Sequence, residues 1–296
     1  MPKVLEAPHQ KVFPAAPKSW AREVWRRLRR HRLALAGAAV FLMVAGLALG
    51  AYWIAPYDPD AGDYAIALHA PDVQHPLGTD EFGRDILSRI IHGGRRSLLV
   101  GLVAVGIGLA AGVTLGSLAG YFGGRLDDLL MRVMDVLLAF PSLLLAIAIM
   151  ALLGRGLNKA MIAIGIIAIP QYARIVRGSI LSVKENDFVT AALASGASAG
   201  HVIARHLLPN VLAPIIVRAT LGTSEAILDA AALGFLGLGV EPPTAEWGAM
   251  LARSREYIHT APYVAAFPGL AITITVLALN LFGDGLRDAL DPRLKR

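Results

Sequence analysis

The sequence predicts an all-α, polytopic membrane protein with six transmembrane helices. Of its 296 residues, 55% are hydrophobic and only 17% are charged, and the mean hydropathy is +0.57. Such a composition does not supply the polar surface of a soluble protein. A helix crosses a hydrocarbon core of about 30 Å at about 1.5 Å per residue. The apolar runs that meet or approach this length are residues 33–55, 97–124, 136–154, 160–173, 211–240 and 257–283.

The first run, residues 33–55, follows a basic tail at residues 1–32 that holds nine Lys and Arg. A basic flank raises the alternative of a cleaved signal peptide, but the apolar core of such a peptide is usually about 7–15 residues long. The 23 uncharged residues here predict a retained transmembrane helix instead. The position of the basic tail beside an apolar run favours contact with anionic lipid head groups rather than nucleic acid.

The distribution of positive charge predicts an N-in/C-in topology. With six spans and a cytoplasmic tail, 19 of the 28 Lys and Arg fall on the inner side and eight on the outer side. This bias follows the positive-inside rule. We therefore predict a periplasmic loop at 56–96, a five-helix core at 97–286 and a cytoplasmic C-terminal tail at 287–296.

The outer loop contains apolar residues at helical spacing, which predicts a helix lying at the membrane surface. Thr79 or Asp80 would be its N-cap. Arg84, Asp85 and Arg89 would face water or lipid head groups. A simple connecting role and contact with a partner protein are both compatible with this pattern.

The fourth and fifth runs have irregular lengths. The fourth, 160–173, is short, but Lys159, Arg174 and Arg177 can extend their charged ends to the interface, which predicts a longer helix. The fifth is too long for one span and should leave the bilayer near Gly237.

Small residues recur at every fourth position of the second run, at Ala104, Gly108, Gly112, Gly116 and Gly120. In lipid, such a face allows two helix backbones to approach closely. The pattern predicts tight helix packing, with the neighbour either in this chain or in another subunit.

Three charged residues interrupt the fifth run: Arg218, Glu225 and Asp229. Their i, i+7 and i+11 spacing places them along one stripe of a helix. A charge at membrane depth costs about 2.5–3.5 kcal/mol on insertion scales, so the stripe should face protein or a water-filled path. Structural pairing and a place along a transport pathway are both open at this stage.

The sequence lacks the residues that several kinds of catalytic and metal-binding site need. The chain has no cysteine, its eight histidines form no metal-binding pattern, and no phosphate-binding glycine loop is present. Residues 196–200 match G-x-S-x-G, but a helical, alanine-rich segment precedes Ser198 where a hydrolase elbow needs a strand. We therefore predict no catalytic or metal site and no cofactor bound by this chain.

The inner loop at 184–210 predicts a compact helix-turn-helix. Asn186 or the aspartate after it can cap a short helix, and Gly196 can end that helix in the left-handed conformation. Ser198 can begin a second helix, which Pro209 should terminate.

This loop resembles the E-A-A-x3-G-x9-I-x-L-P signature of bacterial ABC importer permeases. Thr190 stands where the family has glutamate, and His206 stands where it has isoleucine. Three other stretches, at 75–90, 231–251 and 283–295, resemble the peptide/nickel family of these permeases, and in particular its C-type subunits of dipeptide importers. The signature positions are Thr190, Ala191, Ala192, Gly196, His206, Leu208 and Pro209.

The resemblance implies a type I ABC importer permease fold in the bacterial inner membrane and import of dipeptides. Oligopeptides, glutathione and nickel are the substrates of related permeases. The implied partners are a homologous six-span permease, a periplasmic binding protein and two ATPases, which bind ATP and Mg²⁺ and dock on the 184–210 loop. From the residues alone, a secondary transporter and a membrane hydrolase are the competing functions.

Overall fold

The structure, a computed structural model, describes residues 20–290, so most of the basic tail and the last six residues lie outside the described residues. Within that range the protein is helical, and its one extended pairing is an isolated bridge between Thr79 and Asp85. The helices are α1 (Trp20–Leu28), α2 (Arg32–Leu49), α3 (Ala51–Ile54), α4 (Ile86–Phe122), α5 (Gly124–Leu138), α6 (Ser142–Leu153), α7 (Leu157–Val183), α8 (Asp187–Ala194), α9 (Ala199–His201), α10 (Leu212–Phe235), α11 (Trp247–Ser254) and α12 (Tyr263–Leu290).

Five segments of the described chain are long and apolar enough to cross a membrane: α2, α4, α7, the continuous segment from α9 to α10, and α12. The pair α5 and α6 satisfies the same test together, with a bend of 94° between them. The run predicted at 136–154 therefore straddles this bend. The amphipathic α5 and the apolar α6 replace the straight span that the sequence predicted.

The direction of packing shows that α5 and α6 cross the bundle once. Gly108 faces Tyr172, and Gly120 faces Ile180, so α4 and α7 run parallel. Two parallel helices require the intervening chain to return across the bundle. The bent pair supplies that crossing and brings the total to six.

Both described chain ends lie at one end of the bundle. The Nε2 atom of His31, before α2, lies 3.4 Å from Oδ2 of Asp288 in α12, and Gly37 packs on Ala278. These contacts make α2 and α12 antiparallel. The opposite end of α2, at Ala48, meets the beginning of α4 at Gly94. The chain ends and the 184–210 loop therefore share one end, as six crossings require.

The predicted surface helix in the first long loop is wrong in its extent. The chain after residue 85 forms one helix of 37 residues, α4, which includes the second span. Asp85 is its N-cap and accepts a hydrogen bond from the Ser88 amide, so neither Thr79 nor Asp80 has that role. No proline stands between the two predicted elements, and Gly93 and Gly94, which weaken a helix, pack against Trp247.

The fourth and fifth runs are helical, with one difference from the prediction. Helix α7 extends beyond 160–173 at both ends, as predicted, and α10 ends at Phe235, near Gly237 with its φ of 76°. Pro209 does not end a helix. A π-helical turn at 202–207 and a 3-10 turn at 208–211 carry the chain from α9 into α10. The changed hydrogen-bond register accommodates the amide hydrogen that proline lacks.

Candidate coupling loop and membrane cavity

Helix α8 is held to the bundle by one buried side chain. Val189 is 1% exposed and packs with Val176 and Ile180 of α7 and with Val202 and Leu207 of the following turn. The burial of a single branched residue fixes the position of the helix while leaving its other sides accessible.

A complete left-handed turn ends α8. The Gly196 amide donates to the Leu193 carbonyl at 2.9 Å, and the Ala197 amide donates to the Ala192 carbonyl at 3.1 Å. These two bonds form a Schellman motif, and the φ of 80° at Gly196 is the conformation it requires. The predicted turn at Gly196 is therefore present, and the space around its α-carbon is open.

The signature residues lie mainly at the surface. Thr190, Ala191, Gly196 and Pro209 are exposed, whereas Ala192, His206 and Leu208 are half-buried. The structure also exposes two apolar residues of α8 that sequence reasoning missed, Phe188 at 42% and Leu193 at 47%. Phe188 and Leu193 stand before and after Ala191 and Ala192 in the sequence, and this pattern could have identified them as candidate contact residues.

Ser198 caps a helix. Its Oγ accepts a hydrogen bond from the His201 amide at 3.4 Å, which makes it the N-cap of α9 as predicted. The chain before it is the turn after α8, so the strand that a hydrolase elbow needs does not precede this serine.

Polar contacts attach the loop to the ends of neighbouring helices. The Lys184 Nζ donates to the Gly120 carbonyl of α4 at 3.1 Å. The guanidinium of Arg177 makes two hydrogen bonds to the Asp127 carboxylate of α5, at 2.5 and 2.6 Å. Such a bidentate pair fixes both side chains, so α4, α5 and α7 are joined where the loop begins.

The stripe of small residues packs within this chain, against α7. A Cβ atom at Gly112 would lie 2.5 Å from the Cβ of Tyr172, and one at Gly116 would lie 2.4 Å from the carbonyl oxygen of Ala173. Gly108 and Gly120 make similar close approaches to the same helix. The neighbour that the sequence left undetermined is therefore α7.

The charged stripe of α10 forms part of a cavity of about 270 Å³ in the bundle. The Arg218 guanidinium donates to both carboxylate oxygens of Glu225, at 2.8 and 2.6 Å, and lies 5.7 Å from the centre of the Tyr172 ring. Asp229 lies on the same cavity, one turn beyond Glu225. The structure thus shows that Arg218 pairs with Glu225, and a place of the stripe along a transport pathway stays a prediction.

At the opposite end of the bundle, residues 56–96 and 236–262 form a layer that we call the cap layer. Arg84, Asp85 and Arg89 of this layer are buried, which contradicts the prediction that they face water or head groups. Arg84 and Arg89 are 4% and 2% exposed. Arg84 donates to the Asp80 carboxylate at 2.7 Å, and Arg89 donates to the carbonyls of Pro59 and Pro243 at 2.6 and 3.2 Å.

Asp85 shares this burial, at 2% exposure, and contacts the His75 ring with an Oδ1 to Nδ1 distance of 3.0 Å. The earlier prediction failed because helical spacing identifies a polar face without identifying what covers it. Here the second half of the cap layer covers that face.

Glu246 and Trp247 attach α11 to α4 in the cap layer. The Glu246 carboxylate accepts hydrogen bonds from the Gly248 and Ala249 amides and from the Ser97 hydroxyl, while Trp247 Nε1 donates to the Ile90 carbonyl at 2.9 Å. Burial raises the pKa of the Glu246 carboxyl, although these three donors favour its charged form. The sequence identified this segment only by resemblance.

Comparison with known proteins supplies the family. The model of binding-protein-dependent transport system inner membrane components matches residues 112–296. The model of the N-terminal transmembrane domain of oligopeptide transport permease C matches residues 19–71. Together these matches include the first span, the charged stripe and the 184–210 loop.

Three relatives are similar over most of their length. The di/tripeptide transport system permease protein DppC of Pseudomonas aeruginosa is 51% identical, with 96% of this chain and 94% of that protein covered. The dipeptide transport system permease protein DppC of Alkalihalophilus pseudofirmus is 48% identical, with 93% and 90% covered. The glutathione transport system permease protein GsiD of Escherichia coli O6:K15:H31 is 49% identical, with 92% and 90% covered.

The fold is similar to that of a solved transporter. An inward-facing structure of the MetNI methionine ABC transporter matches with a TM-score of 0.58 at 19% identity, covering 70% of this chain and 98% of that one. This likeness shows the type I importer permease fold. With the six-crossing bundle and the family matches, it establishes that the chain is a multi-pass membrane protein of the binding-protein-dependent transport system inner membrane component family.

Proposed function

We propose that this chain is the non-catalytic C-type permease subunit of an ATP-driven importer that moves dipeptides across the bacterial inner membrane. The assignment of the substrate rests on 51% identity over 96% of the chain to a permease named for di- and tripeptide transport. The positive-inside bias supports placing the 184–210 loop and both chain ends in the cytoplasm.

The exposed surface of α8 supports docking to an ATPase. Phe188 and Leu193 expose apolar side chains on α8, and Ala191, one turn after Phe188, has a small side chain that allows a partner to approach the helix backbone. Aromatic and apolar residues on an otherwise accessible helix are typical of protein interfaces. In this arrangement two ATPase subunits bind ATP and Mg²⁺, and the chain itself holds neither.

The contacts at the base of the loop support rigid transmission of movement. Lys184 joins the loop to α4, Arg177 joins α7 to α5, and the glycine seam joins α4 to α7. A shift of α8 on ATPase closure therefore moves these helices together. A homologous six-span permease completes the pathway, a periplasmic binding protein delivers the substrate, and the basic tail contacts anionic lipid.

Co-purification followed by reconstitution tests this function. The tagged chain should recover a second six-span protein and ATPases, and the complex in proteoliposomes should import dialanine when ATP and the binding protein are supplied. The control is the same complex with the ATPase active site inactivated, which should not import. Import by this chain alone on an ion gradient would contradict the proposal and support a secondary transporter.

Glutathione is the second candidate substrate, because a glutathione permease is 49% identical over a similar length. Competition distinguishes the two. We expect unlabelled dialanine to inhibit dialanine import at lower concentration than glutathione does. Stronger inhibition by glutathione would reassign the substrate and leave the permease function unchanged.

A further inference from the structure

The cavity beside α10 is partly open to the surface of the bundle and has walls from several spans. Residues of α4, α6 and α7 line it together with the charged stripe of α10. Its volume of about 270 Å³ lies just below the range for small-molecule pockets, about 300–1,000 Å³. A cavity of this size fits a ligand of a few residues at most.

Two polar groups on this cavity have unmet hydrogen-bonding capacity. Tyr172 is 1% exposed, yet its hydroxyl has no hydrogen-bond partner among residues 20–290. The hydroxyl lies against Gly222, another lining residue. Asp229 makes no hydrogen bond or ion pair with the rest of the described chain. Buried polar groups are nearly always satisfied, and a carboxylate at membrane depth is costly. Both observations indicate that the cavity receives a polar ligand.

The cavity carries opposite charges at a defined separation. The Arg218 side chain extends along two turns of α10, so its guanidinium lies beside the Glu225 carboxylate. Asp229 is one turn further on, which is about 6 Å along the helix axis. A cation and an unpaired anion therefore stand at a spacing of roughly this length. The chain termini of a two-residue peptide are at most about 7 Å apart.

Building on the proposed import of dipeptides, we propose that this cavity is a subsite for the zwitterionic peptide, with Asp229 binding its ammonium group and Arg218 its carboxylate. Glu225 neutralises the charge of Arg218 while the site is empty. When the peptide binds, one of the two hydrogen bonds between Arg218 and Glu225 is replaced by a hydrogen bond from the guanidinium to the peptide carboxylate. The Tyr172 hydroxyl then gains a polar partner. The length of the site selects two residues, because a longer peptide cannot place both termini on these charges.

Asp229→Asn in the complete importer tests the subsite. The complex is reconstituted in proteoliposomes with the binding protein, and both dialanine uptake and ATP hydrolysis are measured. We expect uptake at limiting dialanine to fall by about tenfold or more, because a charge-assisted hydrogen bond is lost. Stimulation of the ATPase by loaded binding protein should persist, and Asp229→Glu should restore part of the uptake. Asp284→Asn, at an exposed acid of α12, is the matched control and should resemble the wild type.

A second measurement separates substrate selection by the permease from substrate selection by the binding protein. Lactoyl-alanine has a hydroxyl in place of the dialanine ammonium, and each compound is supplied on saturating amounts of loaded binding protein. The wild-type importer should transport dialanine faster, and Asp229→Asn should reduce that ratio by about tenfold. A ratio unchanged by the substitution would overturn the subsite.

Other outcomes separate this proposal from the proposed function. Normal uptake by Asp229→Asn overturns the subsite alone, since the importer still works. Failure of Asp229→Asn and Asp229→Glu to assemble with their partners assigns Asp229 a structural role and also overturns the subsite. Absence of dialanine import by the wild-type complex overturns the proposed function itself.

Discussion

The cap layer and the 184–210 loop lie at opposite ends of the same bundle and are built on opposite principles. The cap layer buries charged side chains in a network that joins distant parts of the chain, such as Arg89 to Pro243 across 154 positions. The loop buries one residue of α8, Val189, and leaves most of its signature exposed. The comparison indicates that one end is fixed by internal contacts, while the other retains surface for a partner.

The two ends also differ in how their backbone turns are stabilised. In the cap layer, carbonyls of Pro59 and Pro243 accept hydrogen bonds from a buried guanidinium. In the loop, the turn at Gly196 is closed by hydrogen bonds between neighbouring residues. Substitutions in the cap layer should therefore affect stability, and substitutions in the loop should affect coupling.

The largest effect is expected from Arg89→Ala. Removing this guanidinium leaves the Pro59 carbonyl without its donor and takes one donor from the Pro243 carbonyl. It also removes one of the two arginine partners of Asp80, and breaking a buried ion pair costs about 3–5 kcal/mol. The thermal unfolding temperature in detergent should fall sharply, or assembled protein should be lost. Arg95→Ala, at an exposed arginine of the same helix, is the control. Equal stability of both variants would contradict the fixed cap layer.

The next largest effect is expected from Gly116→Val, which tests the seam that links the two ends. The added side chain would meet the Ala173 carbonyl, and overpacking typically costs about 1–3 kcal/mol. Both the unfolding temperature and uptake should decrease because α4 and α7 must separate. Gly106→Ala lies on the same helix with open space around it and should be neutral. A Gly116→Val protein with wild-type uptake would show that the seam does not transmit movement.

Gly196→Val should separate coupling from stability. A left-handed conformation costs a non-glycine residue about 1–2 kcal/mol, and the loss is confined to the turn after α8. The unfolding temperature of the bundle should change little, while peptide uptake per ATP hydrolysed should fall severalfold. Asn tolerates the left-handed region, so Gly196→Asn is the matched control. Normal uptake by the valine variant would count against coupling through this loop.

The smallest effect is expected from Ser198→Ala. Its hydrogen bond to the His201 amide is long, at 3.4 Å, and loss of an N-cap costs about 0.5–2 kcal/mol. Uptake should stay within about twofold of the wild type in the same proteoliposome assay. Complete loss of uptake with an intact complex would restore a chemical role for this hydroxyl.

Sequence reasoning succeeded where the cause was local. Transfer of apolar side chains into lipid selects the spans, the left-handed turn requires the glycine at position 196, and the spacing of small residues marks the face of α4 that packs closely. It failed for Arg84 and Arg89, because a polar face on a helix has the same spacing whether water or protein covers it.

The sequence by itself therefore determined that this protein is a helical membrane bundle, where its turn and close seam lie, and which family it resembles. Only the tertiary structure decided that α4 is continuous, that α5 and α6 meet at 94°, and that Arg218, Glu225 and Asp229 share a cavity with Tyr172. The first set depends on side-chain chemistry within a few turns of helix. The second depends on contacts between segments far apart in the chain, which no local pattern specifies.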